Sequence, residues 1–167
     1  LTSPAAEGLT LEHLAARADA FYPGGTKNGL LFGEAVVIAD PELREAFPYL
    51  IKERGGLMAK GRLLGVQFEA ADETGELPYW RLAHNANECA FRLREGLIAQ
   101  GFEAYGDAPS NQQFFALEPQ IAQAFVDAAG CEVFQELPDG RLLTRFVCSW
   151  ATTLADVDEL LGFAKTL

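Results

Sequence analysis

The sequence predicts a mixed α/β protein whose second half is a small α+β domain with an antiparallel sheet. In the first half, residues 18–22 and 29–39 are apolar runs on either side of Asn28-Gly29, which favours two strands joined by a tight turn. In the second half, strand-like segments alternate with amphipathic helices, and residues 137–140 predict the turn of a β-hairpin. Because two strands alone are marginally stable, we expect the first half to belong to a larger α/β domain.

Composition and charge exclude several classes of protein. With 167 residues, 49% of them hydrophobic and 22% charged, the chain has the composition of a globular protein. Its formal net charge of -11 argues against nucleic acid or an anionic membrane as a partner, because either would repel it. No apolar run reaches the ~20 residues of a membrane helix. Three cysteines without CxxC spacing predict reduced, mostly buried thiols in a cytoplasmic protein, and two distant histidines predict no metal site.

Capping signals define two helices in the first half of the chain. Thr10 is expected to cap a short helix that ends near Ala16, because its hydroxyl can accept a hydrogen bond from a free amide of the first turn. Asp40-Pro41 is expected to begin a second helix, which runs to about Arg54, since proline is tolerated in the first turn.

A composition change divides the chain into two predicted domains. Residues 57–70 are expected to be helical despite two glycines, and residues 71–78 are acidic, contain Gly and Pro, and predict a surface linker. We therefore expect one domain over residues 1–70, truncated, and a small C-terminal domain over residues 71–167.

The second half alternates between helical and strand-like patterns. Apolar residues recur at helical spacing after the linker, and later segments change to the pattern of strands. The predicted elements are a helix over 79–99, strands within 101–108 and 112–117, a helix over 119–130, a hairpin of 131–136 with 141–150, and a last helix that Thr153 and Asp156 cap.

Lys27 is the first candidate for chemistry, because it is a single cation in a loop with four neighbouring glycines. In such a loop an amine can approach a ligand with little steric hindrance, and partial desolvation would favour its neutral, nucleophilic form. A lysine prepared in this way can form a Schiff base with an aldehyde, and the hydroxyl of Thr26 can bind a phosphate. Spacing alone, however, favours a solvated lysine at the tip of a hairpin.

Arg145 is the second candidate, because strand alternation puts it on the same face as Leu143 and Val147. A lone arginine there either lies at the sheet edge or needs a carboxylate partner. No acidic residue nearby in sequence is an obvious partner, so a ligand carboxylate bound by the guanidinium fork is one interpretation. An exposed edge arginine is the other.

A short basic stretch contains two further candidates, Lys52 and Lys60. Together with Arg54 and Arg62 they form a cluster in a chain that is otherwise acidic. Solvated helix faces explain this pattern, and an anion site is the alternative.

Four segments together resemble a known family of enzymes. The stretches "FYPGGTKNGLLFGEAVVI", "KERGGLMAKGRLLGVQFEA", "APSNQQFF" and "RFVCSWATT" occur in this order and resemble the C-terminal half of the threonine aldolase/β-eliminating lyase family. This family consists of pyridoxal-phosphate enzymes with the aspartate-aminotransferase fold. The resemblance therefore implies the end of an aspartate-aminotransferase-like large domain, followed by a small α+β domain.

The resemblance assigns roles to the candidate residues. It implies that Lys27 is the Schiff-base lysine and that Arg145 binds the α-carboxylate of an amino-acid substrate. Lys52 falls near a family lysine that reaches the cofactor phosphate, and Lys60 is a further candidate for that contact. Thr26 then becomes a candidate ligand of the pyridoxal phosphate as well.

The family's N-terminal half has no counterpart in this chain, so we expect a fragment. That half carries the phosphate-binding turn, the ring that stacks on the pyridine and the aspartate that pairs with its nitrogen. We expect an intact cytoplasmic homo-oligomer, a dimer or tetramer, that cleaves a threonine-like β-hydroxy-α-amino acid into glycine and an aldehyde. A β-eliminating lyase, a protein that binds an amino acid without turnover and a non-catalytic fragment without cofactor remain alternatives. The isolated fragment is expected to have little or no activity.

Overall fold

The structure, a computed structural model, describes residue 8 and residues 10–71 and 79–167. Nearly all of the predicted linker lies outside the described residues. The chain divides into two compact units, the first ending at Ala83 and the second comprising His84–Leu167.

The first unit consists of short helices and a two-stranded antiparallel sheet. Thr10 caps its first helix and His13 completes a capping box, while the Asp40 side chain accepts a hydrogen bond from the Glu42 amide at 2.8 Å. The predicted Thr10 cap and the predicted start of a helix at Asp40-Pro41 are therefore confirmed. The elements are α1 (Leu11–Ala15), β1 (Ala20–Phe21), β2 (Val37–Ile38), α2 (Pro41–Glu53), α3 (Arg62–Ala70) and the beginning of α4 (Tyr79–Ala99).

The two strands predicted within residues 18–22 and 29–39 are much shorter than these apolar runs. β1 and β2 pair over two residues each, Ala20 with Ile38 and Phe21 with Val37. Much of the apolar sequence around them is exposed, since Leu31 and Val36 are exposed side chains. The reason is that no third strand pairs with β1 or β2 within the described residues. The third helix is also shorter than predicted and begins at residue 62.

The segment between β1 and β2 makes its turn differently from the predicted Asn-Gly hairpin turn. Residues Thr26–Asn28 form one turn of 3₁₀ helix, and the positive φ of 88° that follows it belongs to Gly29 and not to Asn28. Gly25 has an ordinary φ of -94°, but an alanine Cβ at this position would lie 2.5 Å from the carbonyl oxygen of Gly33. Gly25 is thus required by the close approach of two backbone segments.

The second unit is an antiparallel four-stranded sheet with the order β3-β4-β6-β5, together with three helices. This agrees with the predicted α+β arrangement, including the 131–136/141–150 hairpin and the capping box of Thr153 and Asp156. The elements that follow α4 are β3 (Glu103–Ala104), β4 (Gln112–Leu117), α5 (Pro119–Ala129), β5 (Glu132–Glu136), β6 (Leu142–Val147) and α6 (Leu154–Ala164).

Aromatic side chains form the core of the second unit on one face of this sheet. Phe125 of α5 is fully buried, and its ring makes edge-on contacts with Phe102, Phe146 and Phe163 at centroid distances of 5.1–5.9 Å. Such edge-to-face pairs are a preferred geometry of aromatic rings. Because side chains alternate along a strand, the neighbours of Phe146 in β6 lie on the opposite face of the sheet.

The cysteine prediction is confirmed for two thiols, since Cys89 and Cys148 are buried, while Cys131 is partly buried. Burial raises the pKa of Cys131 to about 11 and that of Cys148 to about 12. Among the described ranges, no helix combines the length and apolar character needed to cross a membrane.

We predict that Gly25→Ala destabilises the first unit. The added Cβ would collide with a backbone oxygen and would also lie 3.0 Å from the side chains of Leu30 and Phe68. Overpacking of this kind costs about 1–3 kcal/mol of unfolding free energy. Urea denaturation followed by circular dichroism measures this cost.

Gly65→Ala is the matched control, because nothing lies within 4 Å of a Cβ at this position of α3. Alanine is favoured over glycine in a helix by about 0.8–1 kcal/mol, so this variant should be as stable as the parent or more stable. Equal effects of the two substitutions would contradict the crowding at Gly25.

Candidate functional site

Lys27 is exposed at the middle of the 3₁₀ turn Thr26–Asn28. Its ammonium group has no hydrogen bond or ion pair with any other described residue. Thr26 is also exposed, directly before it. The premise that the chain itself desolvates Lys27 is therefore wrong, because this turn projects the side chain outward. The amine is available for a ligand.

Backbone hydrogen bonds close the turn that carries Lys27. The Gly25 amide donates to the carbonyl of Gly33 at 3.0 Å. The carbonyl of Gly25 accepts from the amides of Asn28, at 2.9 Å, and Leu30, at 3.2 Å. One glycine thus joins both sides of the turn, so the backbone around Lys27 is fixed by the pairing of nearby peptide groups.

Gln67 of α3 holds the segment that follows the turn. Its Oε1 accepts hydrogen bonds from the backbone amides of Leu31, at 2.8 Å, and Phe32, at 3.2 Å. Its Nε2 donates to the carbonyl of Leu63 at 2.8 Å, which fixes the orientation of the amide. Sequence reasoning missed Gln67, because no local motif marks a glutamine that satisfies a loop more than 30 residues away.

Lys52 and Lys60 both belong to the first unit. Lys52 lies in the last turn of α2, where its positive charge complements the helix dipole. Lys60 lies in the turn before α3. Both side chains are exposed, and neither pairs with a carboxylate of the described residues. The structure gives them no shared contact with the turn of Lys27.

Arg145 lies on β6 in the second unit, opposite the face that carries the aromatic core. The strand register pairs it with Phe114 of β4 and with Glu132 of β5. The guanidinium carbon lies 5.9 Å from the ring centroid of Phe134, which is within the range of a cation–π contact. The predicted alternation with Leu143 and Val147 agrees with this register.

The expectation that Arg145 lacks an acidic partner is wrong. Its Nη2 donates to the carboxylate of Glu132, on the neighbouring strand. Its Nη1 donates to Oε1 of Gln112 at 3.2 Å, while its Nε is buried and has no hydrogen-bond partner in the described part of the chain. The pairing of Arg145 with Glu132 could not be predicted from local sequence, because the β-hairpin brings together two residues that are 13 positions apart.

A cavity of about 560 Å³ opens beside Arg145 in the second unit. The end of α5, the strand β6 and the helix α6 line it. Its charged lining residues are Arg145, Glu132, Asp156 and Glu159. Arg145 is the one cation among these four charged residues, so its guanidinium is the group there that can attract an anion.

Comparisons with known proteins identify relatives of this chain. No family model matches it. It is 35% identical over 150 residues to the low-specificity L-threonine aldolase of Pseudomonas aeruginosa. The matched residues make up 87% of this chain and 41% of that protein. It is also 34% identical over 139 residues to a low-specificity L-threonine aldolase from a Pseudomonas species, over 82% of this chain and 38% of that protein. The chain thus spans about two fifths of the length of these curated relatives.

Two solved structures share the fold of this chain. The threonine aldolase of Leishmania major superposes with a TM-score of 0.85 at 36% identity, over 95% of this chain and 46% of that chain. The serine palmitoyltransferase of Sphingomonas wittichii shares the fold alone, with a TM-score of 0.55 at 18% identity over 90% of this chain and 40% of its own.

The relatives account for the architecture of this chain. Both structural neighbours are fold-type I pyridoxal-phosphate enzymes, so the expected fold class is confirmed. The matches cover the C-terminal part of the aldolases and no more. The chain is therefore homologous to L-threonine aldolases and corresponds to the C-terminal part of those proteins.

Proposed function

We propose that the protein containing this chain is a pyridoxal-phosphate-dependent aldolase. It cleaves the Cα–Cβ bond of a threonine-like β-hydroxy-α-amino acid and releases glycine and an aldehyde. The observation that carries this proposal is the unpaired amine of Lys27 on a turn that backbone hydrogen bonds hold in place. The L-threonine aldolases among its relatives support the choice of reaction.

The residues of the first unit fit such a cofactor. A covalent site for an aldehyde needs an accessible amine on a defined backbone, and Lys27 has both properties. The hydroxyl of Thr26 is exposed beside it and can bind a phosphate oxygen. The ammonium groups of Lys52 and Lys60 have no carboxylate partner in the described residues, so either can bind the phosphate through charge.

Lys27 is the residue that would hold the cofactor, through its Nζ atom. The bound cofactor supplies an electron sink for the bond that breaks at Cα. The protein's part is to orient the groups, and the fixed turn limits the positions that the Nζ atom of Lys27 can reach. A defined position lowers the entropic cost of the covalent step.

Arg145 binds the α-carboxylate of the substrate. A guanidinium binds a carboxylate best through two parallel hydrogen bonds. Nε of Arg145 has no hydrogen-bond partner among the described residues, and Nη2 lies beside it in the same fork, so these two donors form the edge that a substrate carboxylate would occupy. Nη2 is hydrogen-bonded to Glu132, so the carboxylate of Glu132 has to move away when the substrate binds. A ligand that carries its own carboxylate can replace it, and such a ligand is therefore favoured.

We further propose that the intact protein is a cytoplasmic homo-oligomer, a dimer or a tetramer, with domains at 1–70 and 71–167 in this numbering. The exposed apolar side chains of the first unit, which include Tyr22, Leu31 and Leu57, support contact with more protein. The relatives extend well beyond the matched part, which supports a missing N-terminal half.

We predict that pyridoxal phosphate modifies Lys27 selectively in the full-length protein. The reason is that the amine of Lys27, which has no partner among the described residues, extends from a turn that backbone hydrogen bonds of Gly25 close. Borohydride reduction followed by peptide mass spectrometry should find nearly stoichiometric label on Lys27, and Lys27→Arg should abolish it.

The control variant is Lys165→Arg, which changes an exposed lysine just after α6 and should leave the label unchanged. Label scattered over Lys52, Lys60 and Lys165 would contradict the proposed function.

We also predict that the full-length protein cleaves threonine to glycine and acetaldehyde. Release of ammonia and a keto acid would indicate β-elimination instead.

We predict that Glu132→Gln strengthens substrate binding. The substitution keeps the size of the side chain but removes the negative charge that competes for Arg145. Partly exposed ion pairs contribute about 0.2–1 kcal/mol, so KM for the amino acid should fall about 1.5- to 5-fold. Steady-state kinetics of the full-length protein measures this change.

Glu136→Gln serves as the matched control, because it removes the same charge from the same strand at an exposed position. It should leave KM unchanged. A KM that stays constant or rises in Glu132→Gln would argue against competition between Glu132 and the substrate at Arg145.

A further inference from the structure

The first residue of α4 makes two hydrogen bonds to the turn that carries Lys27. The hydroxyl of Tyr79 donates to the carbonyl oxygen of Gly24, which precedes the turn. The backbone carbonyl of Tyr79 accepts a hydrogen bond from Nδ2 of Asn28 at 2.9 Å, directly after Lys27. A single residue therefore contacts the chain on both sides of the lysine.

Asn28 is a buried polar side chain, and the predicted Asn-Gly hairpin turn does not explain why it is buried. Only 8% of its surface is exposed, and no residue other than glycine has a positive φ among those that the structure describes. Asn28 is therefore not selected for the left-handed backbone of an Asn-Gly turn. Its side-chain amide is satisfied by Tyr79, and a buried amide without such a partner would be costly.

Tyr79 is held in turn by its own surroundings. Its ring lies 6.4 Å from that of Phe68 on α3 and 5.7 Å from that of Trp80, edge-on. Burial, with a smaller contribution from Glu34, raises the pKa of the Tyr79 hydroxyl to about 12. The hydroxyl is therefore protonated at neutral pH and available as a donor to Gly24.

We propose that Asn28 and Tyr79 are positioning residues that hold the Lys27 turn in the geometry needed for covalent attachment of the cofactor. This inference rests on the proposed function. In the attachment step, Nζ of Lys27 forms a C=N double bond with the aldehyde carbon of the cofactor. The aldehyde oxygen leaves as water with the two protons of the neutral amine.

Asn28 and Tyr79 act through the backbone and not on the reacting atoms. Neither has a hydrogen bond with the ammonium group of Lys27 in the described part of the chain. The Tyr79 hydroxyl donates to the peptide carbonyl of Gly24, three residues before Lys27, and the side chain of Asn28, one residue after Lys27, donates to the peptide carbonyl of Tyr79. Their loss should leave the affinity for free cofactor nearly unchanged, since Lys52 and Lys60, the charged candidates for the phosphate, lie outside the turn. It should slow the first-order attachment step, because Lys27 would then sample more positions.

The test uses Tyr79→Phe and Asn28→Ala in the full-length protein, with Tyr49→Phe as the control. Tyr49 is 77% exposed on α2 and has no hydrogen bond to the described residues. One measurement is amide hydrogen exchange of the peptide 24–35. The other is the rate of pyridoxal-phosphate attachment at increasing cofactor concentration, with the label on Lys27 quantified after borohydride reduction.

We expect Tyr79→Phe and Asn28→Ala each to accelerate exchange in residues 24–35 about three- to tenfold. Each should lower the limiting rate of attachment several-fold while the half-saturating cofactor concentration stays unchanged. Tyr49→Phe should change neither quantity. A merely structural role would instead change the half-saturating concentration and the labelled fraction together.

Two results would overturn the inference in distinguishable ways. If the parent protein is labelled on Lys27 and Tyr79→Phe attaches the cofactor at the parental rate, the positioning role is wrong and the proposed function stands. If Lys27 of the parent is not labelled, the proposed function fails, and the positioning role fails with it even where exchange is accelerated. Should Asn28→Ala fail to fold by circular dichroism, Tyr79→Phe decides, because it removes one oxygen atom only.

Discussion

The close approach of Gly25 to Gly33 is the constraint on which the Lys27 turn depends. The two backbones are joined by a 3.0 Å hydrogen bond, and a side chain at Gly25 would collide with the Gly33 carbonyl. Glycine is present here for packing, since the φ of Gly25 is one that any residue adopts. The glycine-rich motif therefore makes a fixed turn, and Lys27 extends from it into solvent. An exposed amine on a fixed backbone suits covalent chemistry better than a flexible loop would.

In the second unit, the sheet fixes Arg145 in a comparable way. β6 lies between β4 and β5, so Arg145 has a paired strand on each side. Gln112, Glu132 and Phe134 then contact its guanidinium from both neighbouring strands. These contacts orient the fork before any ligand arrives. Glu132 also competes with a ligand for Arg145, because the carboxylate of the ligand must replace the carboxylate of Glu132.

Local signals were sufficient to predict the helix caps and the C-terminal α+β architecture. Thr10 and Thr153 accept the predicted hydrogen bonds, and the second helix begins at the predicted Asp40-Pro41, because helix starts depend on residues within one turn. The partners of the candidate site residues were not predictable in this way. The contact of Asn28 with Tyr79 and that of Arg145 with Glu132 depend on tertiary structure, and a single sequence contains no local pattern that pairs such residues.

The most direct test of the central claim is a crystal structure of the full-length protein with pyridoxal phosphate bound. We expect continuous electron density between Nζ of Lys27 and the cofactor. We also expect the Gly25–Gly33 hydrogen bond to be retained, because it joins two backbone groups of the turn itself. Cofactor density that ends away from Lys27, or a turn in which Gly25 and Gly33 have separated, would contradict a preformed covalent site.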